Sequence, residues 1–172
     1  PCTGRPLCGR SLANIRLYQN LGRGMLEVAA HIFRHFPILL HVYLDLCVAQ
    51  YRDNPLAPAA IGPYSQGILV GDRLYVSGQI AIDPDTGGMV EGSIDAETER
   101  VLENIKAVLN AASMTFENVV RCEVFMTDIN NYGEVNEVYA RYFNEQPPAR
   151  QAVEVSSLPR NARVEISCIA IR

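Results

Sequence analysis

The chain has 172 residues, 48% of them hydrophobic and 20% charged, with a pI near 5.4; this fits one globular domain with an appendage better than two full domains. Charge is unevenly split. Residues 1–54 hold six arginines against Glu27, Asp45 and Asp53, a net of +3, while residues 55–172 hold nine basic and sixteen acidic groups, a net of −7. The acidic part argues against a nucleic-acid backbone as main partner. All three histidines (His31, His35, His41) lie upstream of Pro55, so the body excludes a Ser-His-Asp or Cys-His mechanism and a histidine-ligated zinc site.

Residues 1–24 carry four arginines and no acid, and are expected to be disordered. Met25, Val28, Ala29, Ile32, Phe33 and Phe36 then fall at helical spacing, a run that stops at Pro37. An acid-free, arginine-rich leader before an amphipathic helix has the form of an organelle transit peptide, which would make the location mitochondrial; otherwise the expectation is cytoplasmic. Three other readings stay open for residues 1–54: a partner-binding helix, a helix covering the body's own surface, and sequence foreign to the body. The richest apolar run, Phe36–Leu44, contains Pro37 and ends at Asp45, well short of the ~18 residues of a membrane span, so no membrane partner is expected. Five cysteines without CxxC spacing do not form a disulfide framework, which favours a reducing compartment. Cys122 and Cys168 fall within alternating apolar runs and read as small buried hydrophobes.

The globular domain is read as residues 55–172, with residues 1–54 as its N-terminal extension. Gly67–Val70 and Leu74–Ile82 flank Gly71-Asp72 as a hairpin. A helix from Asp95 to about Ala112 places Val101, Leu102, Ile105, Val108 and Leu109 on one stripe, with Asp95 as N-cap and Glu97 and Glu99 near the positive end of the dipole. The run from Val119 alternates, with Val120, Cys122, Val124 and Met126 on one face. A second helix, about Tyr132–Asn144, puts Val135, Val138, Tyr139, Tyr142 and Phe143 at core spacing. Strands over Gln151–Ser156 and Arg163–Ile171 complete the order β-β-α-β-α-β-β. That order predicts an α+β layer: one mixed sheet with both helices on one face. In the last strand Val164, Ile166, Cys168 and Ala170 share the face under the helices, while Glu165, Ser167, Ile169 and Ile171 take the other. A face mixing a carboxylate with aliphatics is expected where subunits meet, which predicts an oligomer.

Five features bear on chemistry. Pro147-Pro148 stiffen the approach to Arg150 at a strand mouth; a guanidinium so mounted either clamps a planar anion or is an ordinary surface cation. Tyr64 follows a rigid Gly-Pro turn, as a ligand contact or a packed aromatic. Ser77 stands beside Gly78, where backbone can approach a ligand closely, or is a strand-end hydroxyl. Asn136 is a site amide or a solvent-facing one, and Glu165 a working carboxylate or a surface charge.

Together "APAAIGPYSQG", "LYVSGQIAIDPDTG", "ENIKAVLNAA", "FMTDINNYGEVNEVY" and "PPARQAVEVSSLPRNARVEI" resemble the Rid family of reactive-intermediate imine/enamine deaminases, also called the YjgF or L-PSP endoribonuclease-like family, over about residues 56–172. The resemblance implies a chorismate-mutase-like α+β fold and a homotrimer with a ligand cleft at each subunit interface. It implies no metal and no organic cofactor. It also implies hydrolysis of 2-aminoacrylate (2-iminopropanoate) and 2-iminobutanoate to 2-keto acids and ammonia. By the same resemblance Arg150 binds the substrate carboxylate and Glu165 positions the water; Tyr64, Ser77, Gly78 and Asn136 complete the cleft. Two positions depart from the pattern: Ala152 stands where many relatives carry cysteine, and Ser167 where a second glutamate is common. A binding or regulatory module for small carboxylates would keep Arg150 and not need Glu165. A ribonuclease, as one family name has it, ranks below both, because the body is acidic and lacks histidine.

Overall fold

Alternating strands and two apolar helical stripes assemble as the sequence pattern requires, in a computed structural model that describes residues 50–52 and 54–172. The helix expected over Met25–Phe36 and the disorder expected over residues 1–24 lie outside the described residues. Strands β1 (Gln50–Arg52), β2 (Gly67–Val70), β3 (Arg73–Gln79), β4 (Val119–Met126), β5 (Ala149–Glu154) and β6 (Val164–Ile171) form one sheet in the order β1-β2-β3-β6-β4-β5. Helices α1 (Ile94–Ala111) and α2 (Tyr132–Tyr142) alternate with them in sequence. Neighbouring strands run antiparallel except β4 and β5, which are parallel and are joined through α2. The mixed α+β layer is as expected. The first strand is an addition: Gln50–Arg52 pair with Gly67–Leu69 at the sheet edge, where three residues give too short a run for any periodicity to show.

The α1 stripe of Val101, Leu102, Ile105, Val108 and Leu109 is essentially free of solvent, as are Leu74, Val164, Ile166 and Ala170 beneath it. Val135, Val138 and Tyr139 of α2 extend the same core. Each such aliphatic side chain contributes roughly 1.5–3 kcal/mol by leaving water. Cys122 and Cys168 are buried in this layer as free thiols, facing each other across β4 and β6. Among the described residues no helix is long and apolar enough to cross a membrane.

Five details depart from the sequence reading, each for a local reason. Strand β5 spans Ala149–Glu154 and not Gln151–Ser156, because Ala149 and Arg150 already pair with Arg121 and Cys122 of β4. The hairpin turns at Gly71, whose φ of 59° glycine adopts without strain, but β3 ends at Gln79 rather than Ile82. Beyond Gln79 the carbonyls of Ile80 and Ile82 accept from the buried Asn104 side chain of α1 at 3.1 and 2.9 Å, so they leave the ladder. Helix α1 is capped by Ser93, whose Oγ accepts from Ala96 N–H at 3.3 Å, and Asp95 falls in its first turn. In β4 the register against β6 shifts between Val119 and Arg121. That shift buries Val119 and leaves Val120 44% exposed. Helix α2 ends at Tyr142, with Phe143 as its buried C-cap.

The segment before β2 is held by a buried glutamine. Gln66 Nε2 donates to the carbonyls of Pro58 at 2.7 Å and Ala57 at 3.1 Å, while its Oε1 accepts from Asn54 N–H at 2.6 Å. Asn54 Nδ2 in turn donates to Ala107 O of α1 at 2.6 Å. One amide thus fixes residues 54–66 against the helix layer and sets where Tyr64 stands.

Candidate active site

Two clusters hold the residues singled out from the sequence. The first lies where β3 leaves its ladder. The β3–β6 register shifts between Val76 and Gln79, so Ser77 and Gly78 occupy a bulge, a device that re-aims side chains. Ser77 is tied to the Tyr64–Gln66 segment twice: its N–H donates to Gln66 O at 3.0 Å and its Oγ to Ser65 O at 2.7 Å. Tyr64 is 46% exposed, and its hydroxyl accepts from Ile61 N–H at 3.3 Å. A cavity of about 20 Å³, room for one water, lies between Tyr64, Gly78 and Gln79.

Gly78 is glycine for a specific reason. A Cβ there would collide with Oε1 of Glu165 and sit 2.7 Å from its carboxyl carbon. The Glu165 carboxylate therefore lies against bare backbone, half-buried, and burial raises its pKa above the ordinary carboxylate value. Glu165, Ser77, Gly78 and Tyr64 form one neighbourhood on this side of β3 and β6.

The second cluster is built on β5 and α2. Arg150 stands in register with Cys122, so its side chain takes the helix-covered face and reaches α2. The guanidinium carbon lies 4.5 Å from the centre of the Tyr139 ring and 5.6 Å from that of Tyr132, both within cation–π range. Nη2 donates to the Tyr132 hydroxyl at 3.0 Å. Asn136, one turn along α2, lies beside the same hydroxyl, and its amide first, then the Arg150 charge, holds the phenol below its ordinary pKa. Tyr139, by contrast, is pushed up by burial and by its contact with Cys122. Among the described residues no carboxylate lies within ion-pair distance of Arg150. A cation mounted on two aromatic rings, with no counter-ion among the described residues, has the chemistry to accept an anion.

These two clusters do not meet within one chain. Glu165 pairs with Phe125 on the open face of the sheet, whereas Arg150 follows Cys122 on the helix side at the edge strand. The open face is the mixed surface expected from the sequence. Exposed Tyr75 (45%) and Val153 (40%) and half-buried Ile169 and Ile171 surround a polar group, in which Arg121 Nη2 donates to Glu123 Oε1 at 3.1 Å and Ser167 Oγ to Glu123 Oε2 at 3.4 Å. Ser167 thus stands beside a carboxylate of the adjacent strand, Glu123, its partner in the β4–β6 register. Ala152 packs against the core beside Val124.

A larger groove, about 590 Å³, is lined by Phe116, Tyr142, Phe143, Glu117 and Glu145. It contains none of the residues above and no basic group, so the chemistry points to the smaller clusters. Tyr132 and Tyr139 were the contacts not read from the sequence as site residues. Tyr139 was absorbed into the core stripe, and the only signal for Tyr132 was its place one helical turn before Asn136.

The sequence and fold recur among known proteins. Residues 55–172 match the family model described as Endoribonuclease L-PSP. Protein DfrA of Myxococcus xanthus is 54% identical over 117 residues, covering 67% of this chain and 89% of that protein. The 2-iminobutanoate/2-iminopropanoate deaminase of Mus musculus is 47% identical over 116 residues, 67% of this chain and 86% of that one. The crystal structure of the Rid-family protein YyfA from Yersinia pestis superposes with a TM-score of 0.71 at 48% identity, covering 73% of this chain and 100% of that chain. The chain therefore belongs to the Endoribonuclease L-PSP, or Rid, family.

Proposed function

We propose that the protein hydrolyses small 2-imino acids, with 2-iminopropanoate (from 2-aminoacrylate) and 2-iminobutanoate as the substrate class, to 2-keto acids and ammonia. The working unit is a homotrimer in which the Arg150 cluster of one copy faces the Glu165 cluster of the next. The observation that carries this reading is the uncompensated Arg150 guanidinium, held by Tyr132 and Tyr139. The names of the deaminase relatives and the mixed open face of the sheet support it.

A protonated imine carbon is already electrophilic, so the reaction needs positioning more than acid–base force. Arg150 grips the carboxylate through two parallel N–H bonds and fixes the plane of the C=N group. Glu165, ionised but partly desolvated, takes a proton from water as the water oxygen bonds to the imine carbon. The product is a carbinolamine. Glu165 then returns that proton to the nitrogen, the C–N bond breaks with its electron pair on nitrogen, and the hydroxyl proton passes through Glu165 to the departing ammonia, which leaves as ammonium while the ketone forms. Tyr64 and Ser77 hydrogen-bond the water or the nitrogen.

The test is a coupled assay. Serine dehydratase generates 2-aminoacrylate, and the rate of pyruvate release is followed with and without this protein. Acceleration lost in Arg150→Ala is expected; no acceleration by the wild type contradicts the reading. One observation favours a second function. Because the Arg150 cluster stands without Glu165 in a single chain, a carboxylate-binding regulatory module needs only that half. Keto-acid binding without acceleration would select it.

A further inference from the structure

The Tyr132 hydroxyl carries an unspent hydrogen bond. Its oxygen accepts from Arg150 Nη2 at 3.0 Å. A phenol both accepts and donates, and an arginine N–H can only donate. The Arg150 bond therefore leaves the Tyr132 O–H proton unspent, and it points at something else. Tyr132 is 40% exposed, and among the described residues it donates to no acceptor. The ring opens α2, directly after the turn at Ile129–Asn131, so its backbone is fixed while its hydroxyl edge stays accessible. The cationic donor on that oxygen also polarises the O–H bond and makes it a stronger donor.

Arg150 uses one of its five N–H bonds on Tyr132, leaving four for a ligand. The groups left over at this spot are therefore all donors: a guanidinium fork and a phenolic O–H beside it. Their common complement is a carboxylate, in which one oxygen engages the guanidinium and the other also receives the phenol proton. We propose that Tyr132 is a substrate-binding residue that donates its hydroxyl proton to the ligand carboxylate beside Arg150, and so helps select acids over neutral imines. This rests on the imino-acid reading above and adds a residue to it.

The test compares wild type, Tyr132→Phe and Arg150→Ala, each titrated calorimetrically with 2-ketobutanoate, the stable keto analogue of the imine, and assayed for pyruvate release. Tyr132→Phe keeps the ring at a partly exposed position, so its thermal midpoint should stay within about 2 °C of wild type, as for an ordinary surface substitution. Its affinity for 2-ketobutanoate should fall about tenfold or more, the effect of losing a hydrogen bond to a charged group. KM should rise in proportion while kcat stays within about twofold, since the contact is equal in ground and transition states. The loss should be smaller for 2-ketobutanamide, whose neutral amide needs the donor less; a merely structural role for Tyr132 would weaken both ligands alike. If Tyr132→Phe binds 2-ketobutanoate as tightly as wild type while Arg150→Ala has lost it, the Tyr132 assignment is overturned and the anion site stands. If wild type itself neither binds 2-ketobutanoate nor accelerates pyruvate release, the underlying reading and this assignment fall together.

Discussion

Replacing Gly78 by alanine separates the proposed catalytic role of Glu165 from the stability of the fold. The backbone at Gly78 is not in the left-handed region, so alanine meets no conformational penalty there. What it meets is Glu165: the new Cβ would lie 2.7 Å from the carboxyl carbon, which must retreat by about 0.7 Å to reach the ordinary contact distance of 3.4 Å. The carboxylate oxygen nearest the new methyl must move further. Glu165 is the far end of a flexible, half-exposed side chain, so the movement costs the fold little. For turnover it matters more, because a misplacement near 1 Å lowers a positioned reaction by about a hundredfold. That corresponds to about 2.7 kcal/mol of lost transition-state stabilisation. Pyruvate release from enzymatically generated 2-aminoacrylate should therefore fall by about two orders of magnitude in kcat/KM. Affinity for 2-ketobutanoate, carried by Arg150, should change by less than about threefold, and the thermal midpoint by only a few degrees. A Gly78→Ala protein with near-wild-type turnover would refute the placement of Glu165 at the reacting centre.

Other perturbations reach different parts of the site and the fold. Arg150→Lys should raise KM by about 10- to 100-fold, since an ammonium cannot reproduce two parallel contacts or the stacking on Tyr139; steady-state kinetics on the coupled assay checks it. The activity profile should show an acid limb whose midpoint lies above the ordinary carboxylate value, because burial raises the Glu165 pKa and only the ionised form accepts a proton. Activity is present above that pKa and lost below it, and Glu165→Gln should abolish most turnover and the limb with it, while retaining keto-acid binding. Gln66→Leu leaves the carbonyls of Ala57 and Pro58 and the N–H of Asn54 without their partner. It should destabilise the protein by about 2–4 kcal/mol, read as a lowered thermal midpoint.

Long-period features of the fold were legible in the sequence, and features set by a single residue were not. The α1 stripe and the inward series of β6 repeat often enough that tertiary contacts only confirm them. Val120 was assigned to the wrong face because a one-residue register shift in β4 reverses alternation locally without leaving a compositional mark. Ser93 displaced Asp95 as cap because both are good N-cap residues and only the start of the backbone turn decides between them. For the site, motif residues marked Arg150, Glu165, Ser77, Gly78, Asn136 and Tyr64. What they did not reveal was that one chain divides them between two faces of its sheet. That separation follows from strand order, with β6 and β4 standing between β3 and β5, and strand order is not written in any local pattern. Tyr132 and Tyr139 escaped for a related reason: each looks like an ordinary helical residue until Arg150 is brought across from β5.

The division between copies can be measured by complementation. Arg150→Ala and Glu165→Gln proteins, each inactive alone, are co-refolded in equal amounts and assayed for pyruvate release. If one subunit supplies the guanidinium and its neighbour the carboxylate, random mixing restores both groups in about a quarter of the shared clefts, and activity should return toward that fraction of wild type. A mixture as inactive as its two components, with mixed oligomers demonstrated by mass, would contradict the shared cleft.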